Sequence, residues 1–377
     1  MSEHKICQRC VMDMSDSAIV FDEFGICDHC LTFDREIMPV WNNGVGRDKE
    51  LKLIVDAIRK NGEGKDFDCV LGMSGGIDSS YLLYLAKEKF GLRPLVFHVD
   101  GGWNSQIAVN NIERLVDGLN LDLFTEVINW RDMQSLQRSF FKAGVPHVDV
   151  PQDHAFFASM YQFALKHNIK NIITGGNYST ECVRNPKEWM YYQSDSIQLR
   201  DIHKKHGEPP IQNYPLTNIL WHKLYLPYFK NIKLHRLLDF IPYDKEEATK
   251  FLVDNYGYQR YPQKHFESRF TRFYESYWLP KKFGYDTRKV QFSSLILTDQ
   301  MTREEALKEL SKPAYDPETV HHELEYVASK LDWSVEQLKS CLHAPNKTYK
   351  DFANQETIYN IGAKVLKFLG KELGGKR

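Results

Sequence analysis

The chain has 377 residues, 42% of them hydrophobic and 26% charged, with a formal net charge of -1. That length suits one α/β core with smaller attached units, and the balanced charge argues against tRNA or DNA as the main partner, which usually demands a basic surplus. The 7 cysteines form no disulfide-like framework, no apolar stretch follows Met1–Lys5 as a signal peptide requires, and no run approaches the roughly 18 apolar residues that span a bilayer. A cytoplasmic protein without membrane insertion is expected.

Residues 1–45 are rich in cysteine, aspartate and turn-formers and hold too little apolar sequence for a core of their own. Cys7-x-x-Cys10 and Cys27-x-x-Cys30 stand 16 residues apart, a spacing that suits a four-cysteine zinc site. Ile19-Val20-Phe21 and Gly25 read as a small hairpin joining the two turns. All four positions are filled by cysteine, so the expected role is structural, with folding dependent on the metal. The ligand set alone leaves an iron–sulfur cluster open. His4 and His29 are expected at the surface.

Residues 48–60 show helical spacing through Leu51, Ile54, Val55 and Ile58. From Asp66 strand and helix alternate. Strands are predicted at 69–73, 95–99, 123–128 and 171–174, and helices at 78–90, 105–119, 131–143 and 153–167, the last with Asp153 as its cap. This alternation predicts a parallel sheet with helices on both faces, whose ligands sit at strand carboxyl ends near a switch in strand order. Residues 178–235 are a Tyr/Trp-rich interruption without a secure assignment. A return to the sheet is predicted at 238–242, then a helix capped by Asp244, then helices to the end, with Thr302–Glu305 as a capping box. The domains are therefore 1–45, a core over 46–262 with the 178–235 insertion, and a helical region over 263–377.

The strongest signal is Leu71-Gly72-Met73-Ser74-Gly75-Gly76-Ile77-Asp78-Ser79-Ser80, between a strand and a helix. Gly75 and Gly76 allow a sharp turn and close approach to an anion. Ser74, Ser79 and Ser80 supply hydroxyls, and the helix start adds N–H groups and its dipole. Together they form a phosphate nest. The pattern is neither a Walker loop nor a Gly-x-Gly-x-x-Gly turn. Ser-Gly-Gly-x-Asp-Ser resembles the loop of the N-type ATP pyrophosphatases, the PP-loop superfamily. That resemblance implies ATP, a grip on pyrophosphate through Met73 to Ser80, an adenylated intermediate, and Mg2+ held by Asp78, which also suits a helix cap. Val99-Asp100-Gly101-Gly102 and Thr174-Gly175-Gly176-Asn177 end the second and fourth strands, where the glycines admit a nucleotide and Asp100 or Asn177 can bond ribose or adenine.

No glutaminase is visible: residue 2 is serine, and no Gly-x-Cys-x-Gly elbow occurs. Sulfur transfer of the tRNA-thiolase kind lacks a core cysteine pair, since Cys69 lies within a strand and Cys182, which can reach the site, has no second cysteine nearby.

Beyond the loop, Cys7-Gln8-Arg9-Cys10-Val11-Met12-Asp13, Lys264-His265-Phe266-Glu267-Ser268, Trp278–Asp286 and Thr298–Ala306 resemble the N-acetyl sugar amidotransferases typified by WbpG and PseA. The resemblance implies adenylation of a sugar acetamido oxygen and its displacement by ammonia to leave an acetamidino group, in bacterial surface-glycan (O-antigen or flagellar glycan) biosynthesis. It implies a partner glutaminase like the histidine-biosynthesis amidotransferase, with a cyclase-like companion. Lys281, Lys282 and Arg288 are candidates for offsetting phosphate charge. His265 and Glu267 are candidates for the ammonia proton, although i, i+2 spacing on a helix would separate them. Trp189, Tyr191 and Tyr192 are expected to pack rather than stack on substrate. The competing functions are a tRNA-modifying thiolase or amidine-forming enzyme, and a non-catalytic scaffold.

Overall fold

Five short strands make the centre: β1 (Cys69–Gly72), β2 (Pro94–Asp100), β3 (Leu123–Val127), β4 (Asn171–Ile173) and β5 (Lys233–His235). The computed structural model describes residues 5–261 and 264–368; His4 and the boundary expected at 262/263 lie outside them. The strand order is β3-β2-β1-β4-β5, and every neighbouring pair is parallel. The chain winds outward from β1 in one direction through β2 and β3, and in the other through β4 and β5. The switch in order falls between β1 and β4, where a doubly wound sheet leaves a crevice at the strand carboxyl ends.

Alternate strand residues feed two cores. Val70, Phe97 and Ile172 join Met133, Leu136, Ala155 and Met160 on one face. Leu71, Val96 and Ile173 join Leu51, Ile58, Leu82, Leu115 and Leu252 on the other. The helices Asp48–Asn61, Gln106–Gly118 and Trp130–Ala143 lie where periodicity places them. Ser105, Asp244 and Thr302 each cap a helix through the side chain.

Three expectations fail locally. The fifth strand is Lys233–His235, and the apolar run at 238–242 instead begins as a 3-10 turn, Leu237–Phe240, that buries Leu237 and Leu238. A short apolar run cannot by itself distinguish strand from buried turn, and the true strand is a partly exposed edge carrying lysine and histidine. The helix predicted from Asp153 starts at Val150, with Asp149 at its cap position and Pro151 in its first turn, where proline's fixed φ is tolerated. The helix after the phosphate loop is regular only over Ile77–Tyr84 and loosens to a π-turn over Leu85–Lys89.

The C-terminal helices share the first core. Phe270, Phe273, Tyr274 and Trp278 pack with Phe140 and Phe141, and the Phe141 and Trp278 rings meet edge to face at 4.5 Å. Trp189, Tyr191 and Tyr192 of the 178–235 segment are spent on packing, as expected: Trp189 stacks on Tyr285 at 5.0 Å, Tyr191 on Tyr349 at 4.4 Å and Tyr192 on Tyr359 at 3.9 Å, whereas Tyr228 and Phe229 are exposed.

The N-terminal unit docks on the C-terminal region. Met12, Phe33 and Trp41 pack with Val183, Trp189, Val290 and Leu297. Arg303 donates to the carbonyls of Cys7 and Cys10, and Lys289 pairs with Asp13. Two antiparallel bridges, Ile6 with Asp13 and Phe21 with Cys27, close its turns. His29 is buried, not at the surface, and bonds Asp16 at 2.8 Å. Cys182 faces this unit rather than the strand ends: it is buried in the same cluster, its thiol 3.6 Å from the Ser294 carbonyl.

Candidate active site

The carboxyl ends of β1 and β4 open into a cavity of about 750 Å³. Met73, Ser74, Gly76, Asp78 and Ser79 line one wall, with Gly175 and Gly176 also on its surface. Gly75 has φ +86, a left-handed conformation that suits glycine, and its carbonyl accepts from the hydroxyls of Tyr258 and Tyr261. The helix that follows has no side-chain cap, so its first N–H groups and its dipole are available to an anion. The Ser74 hydroxyl accepts from Gly76 N–H, and Ser79 donates to the Gly76 carbonyl. Ser80 is fully buried and does not line the cavity.

Asp78 does not cap its helix, as the sequence allowed; Gly76 holds the cap position. Its carboxylate accepts from Tyr243 at 2.6 Å and from Thr180 at 3.4 Å, with Lys264 Nζ 3.7 Å away. Lys264 also pairs with Glu181 at 2.7 Å. Burial opposes the charge of Lys264, but Glu181, Asp78 and Glu267 hold it protonated. Lys245 also lines the cavity, and burial makes its proton easier to lose. No local pattern links Lys264, Lys245, Thr180, Glu181 and Tyr243, so the sequence does not point to them as a site, although Lys264 opens the Lys264–Ser268 segment that carries part of the family resemblance.

The turn residues split. Gly175 lies so close to the loop that a Cβ there would come within 2.6 Å of Ser79 N, so its glycine serves backbone packing as well as access. Asn177 is buried; it caps the helix Tyr178–Glu181 and donates to the Gly175 carbonyl at 2.9 Å. Asp100 accepts from Gly102 N–H at 2.7 Å. Asp100, Gly101 and Asn177 are not among the lining residues, whereas His98, Val99 and Asn104 are. His98 donates from Nδ1 to the Met73 carbonyl and accepts at Nε2 from the Asn104 amide.

Lys281, Lys282 and Arg288 are not brought to the cavity. Lys281 is exposed. Lys282 donates to the carbonyls of Leu342 and Ala344, closing the end of the helix Val335–His343. Arg288 is held by Asp286 and by the carbonyls of Glu309 and Lys312. Their basic run is structural because the helix carrying Lys281 and Lys282 packs toward the C-terminal bundle.

His265 and Glu267 both line the cavity. Residues 264–267 form a turn, not a helix, and Ser268 bridges to Asn104, so i, i+2 spacing does not separate them. His265 adopts φ +66, a strained conformation for a non-glycine residue and one that collects at functional sites. Glu267 approaches Gly76 so closely that a Cβ there would lie 2.1 Å from its Oε1.

Beyond His265 the lining becomes polar: His147, Asp149, Gln152, Tyr274 and Glu275 are buried, and Asp153 and Thr271 are half-buried. His265 Nδ1 lies 2.9 Å from Glu275, whose charge outweighs burial and raises the imidazole to about 9. His147 donates from Nδ1 to the Tyr191 carbonyl and turns Nε2 to Asp153 at 3.4 Å. Burial opposes its charge, but these acceptors raise its pKa. Burial first, and Asp153 second, push Asp149 up to about 8.

Both metal expectations have a structural test. The four cysteine sulfurs lie within 4.8 Å of one another, with Sγ–Sγ separations of 3.6, 3.7 and 3.8 Å. Four thiolates around one tetrahedral ion at about 2.3 Å stand about 3.8 Å apart, so the site fits a single ion better than a multi-iron cluster. At the loop, no second cluster of three metal-type ligands exists among the described residues. One carboxylate, Asp78, fits a magnesium ion that arrives with phosphate oxygens and keeps most of its water.

A parallel sheet of this order, with a Ser-Gly-Gly-x-Asp-Ser loop at its switch point, defines a PP-loop ATP pyrophosphatase-like fold. Residues 267–366 match the family model described as LPS biosynthesis protein WbpG-like, C-terminal domain, and the segment that carries this similarity supplies Glu267, Thr271, Tyr274 and Glu275 to the cavity. A Methanocaldococcus jannaschii relative, described as uncharacterized protein MJ1599, is 25% identical over 329 residues, covering 84% of this chain and 97% of its own. Among solved structures, an NH3-dependent NAD synthetase from Campylobacter jejuni is similar at 17% identity and TM-score 0.29, over 56% of this chain and 84% of that one. An NMN synthetase from Francisella tularensis is similar at 16% identity and TM-score 0.27, over 57% and 88%. Likeness at that level carries no functional argument. No helix among the described residues is long and apolar enough to cross a membrane.

Proposed function

We infer that the protein is an ATP-dependent, AMP-forming amidotransferase that converts the acetamido group of an N-acetyl sugar to an acetamidino group, in bacterial surface-glycan synthesis. One observation carries this proposal: a single cavity joins the phosphate loop to polar side chains of the segment that is similar to the WbpG-like C-terminal domain. An amide carbonyl is a poor electrophile until its oxygen is made a leaving group. Adenylation does this, and needs in-line placement of ATP and amide with charge compensation for the departing pyrophosphate.

In this proposal the Ser74–Ser79 loop and the helix start bind the pyrophosphate portion of ATP. Lys264 and Lys245 offset its charge. Asp78 holds Mg2+, which supplies further charge neutralisation when bound, and Tyr243 fixes the carboxylate. His265 and Glu267 stand between the phosphate loop and the acid cluster, where the amide and the incoming nitrogen would meet. Zinc at Cys7, Cys10, Cys27 and Cys30 is structural. Ammonia comes from a partner glutaminase with a cyclase-like companion, or from solution.

The test is a mass-spectrometric assay with ATP, Mg2+, ammonium and a panel of N-acetylated nucleotide sugars and nonulosonic acids. Exchange of one oxygen for NH, with AMP and pyrophosphate appearing, is the expected result. Turnover of ATP to AMP only when tRNA is added would transfer the site to a tRNA-modifying function.

A further inference from the structure

The acid cluster holds three carboxyls but only two imidazoles. Glu275 is paired with His265 and Asp153 with His147. Asp149 makes no ion pair of its own among the described residues, although it feels the charge of His147: its Oδ2 accepts from the Thr271 hydroxyl at 2.6 Å, and its Oδ1, buried in a side chain 2% exposed, makes no hydrogen bond among the described residues. Asp149 also occupies the cap position of the helix Val150–Lys166 yet does not cap it. Aspartate there normally accepts from its own helix; here the carboxyl is turned to Thr271 and the cavity instead. A second buried polar atom nearby is equally unsatisfied. The Tyr274 hydroxyl, on a side chain 1% exposed, lacks a partner among the described residues and feels the charges of Glu275, Asp149 and Asp153. Both residues line the cavity. Leaving such groups unpaired in a buried site is unfavourable, and a ligand with several N–H donors and a positive charge would recover that loss.

We propose that Asp149 and Tyr274 form the ammonium subsite of the enzyme, holding the nitrogen nucleophile before it attacks the adenylated amide. This rests on the amidotransferase function proposed above. Ammonium gives one proton to the Asp149 carboxylate. The lone pair of the resulting ammonia forms the new C–N bond at the imidate carbon, and the C–O bond to AMP breaks, its electron pair leaving on AMP. One proton on the new nitrogen then moves to the original amide nitrogen, giving the amidinium. In the empty site burial pushes Asp149 up to about 8, so its carboxyl is protonated at neutral pH; a cation held beside it favours the carboxylate, and Asp149 then releases its proton to water as ammonium binds and serves as the base.

The test varies ammonium chloride at saturating ATP and sugar in wild type, Asp149→Asn and Tyr274→Phe. The expected result is a rise of at least tenfold in KM for ammonium in Asp149→Asn, and a smaller rise in Tyr274→Phe, with KM for ATP and for sugar unmoved. Tyr274→Phe keeps the ring and its packing, so it separates loss of the subsite from loss of the fold. An unchanged ammonium KM overturns the proposal; a parallel rise in sugar KM overturns it in favour of a sugar-hydroxyl pocket. Crystals soaked in thallous ion, an ammonium-sized cation with an anomalous signal, provide the independent arm. Density between Asp149 and Tyr274 in wild type, lost in Asp149→Asn, is expected whether or not any sugar is turned over, and its absence counts against the subsite. Absence of sugar turnover together with a thallous site would overturn the amidotransferase function alone.

Discussion

The two ends of the cavity are built on different principles. The phosphate end is made from consecutive residues, Met73 to Ser79, at the carboxyl end of the central strand. The polar end is assembled from Asp149 and Asp153 at the start of one helix, His147 before it, His265 in a turn, and Thr271, Tyr274 and Glu275 in the C-terminal region. Backbone groups do most of the work at the first end, whereas side chains from distant segments do it at the second. The first end therefore rests mainly on its loop and on the few groups packed against it, Gly175, Tyr243 and Lys264. The second depends on how the C-terminal domain is seated.

The largest effect that separates the ends is expected from Asp78→Asn. It should slow pyrophosphate release by about 10²–10³-fold and leave the thermal midpoint near that of wild type. Ordinary activity in this variant would remove the phosphate end from the chemistry. Next is the metal. Chelation, or Cys27→Ser, should lower the thermal midpoint by roughly 10 °C, and elemental analysis should find one zinc per chain in the intact protein. Because Arg303 and Lys289 tie the cysteine unit to the C-terminal region, the ammonium-dependent step should fall further than ATP–pyrophosphate exchange. Equal losses would mean that the unit does not brace the polar end.

A smaller effect concerns pH. Unfolded, Asp149 ionises in the usual carboxylate range, but folded it keeps its proton to about 8. The unfolded state therefore binds fewer protons across that interval. The contribution of Asp149 to stability is full at low pH and is lost as pH rises toward 8. In ligand-free protein, Asp149→Asn should be more stable than wild type at pH 8 by up to about 5 kcal/mol, with the difference shrinking toward pH 4. Urea denaturation at several pH values measures this. A constant difference would mean that Asp149 is ionised throughout. The smallest effect is Lys282→Ala, which removes a donor to the last carbonyls of the helix Val335–His343. It should cost about 0.5–1 kcal/mol of stability and leave turnover unchanged; a fall in kcat would return this lysine to the site.

The same contrast separates what was legible in the sequence. The phosphate loop, the four cysteines, most core strands and helices and the caps at Asp244 and Thr302 are local patterns, governed by backbone freedom, ligand spacing and the 2.0 and 3.6 periodicities. Each is decided within a short stretch of chain, ten residues for the phosphate loop and Cys7 to Cys30 for the cysteines, so the sequence by itself determined them. The inward turn of Lys264 to Asp78 and Glu181 was not legible, nor was the helix-closing role of Lys282, nor the inward face of the 264–268 turn. The fate of Asp149 shows why. Its local preference is to cap the helix at Val150, yet the tertiary structure sets Thr271 within 2.6 Å of it and places His147 on Asp153. Whether a carboxyl caps a helix or waits unpaired in a cavity depends on which charges and donors the rest of the chain brings to it, and only folding decides that.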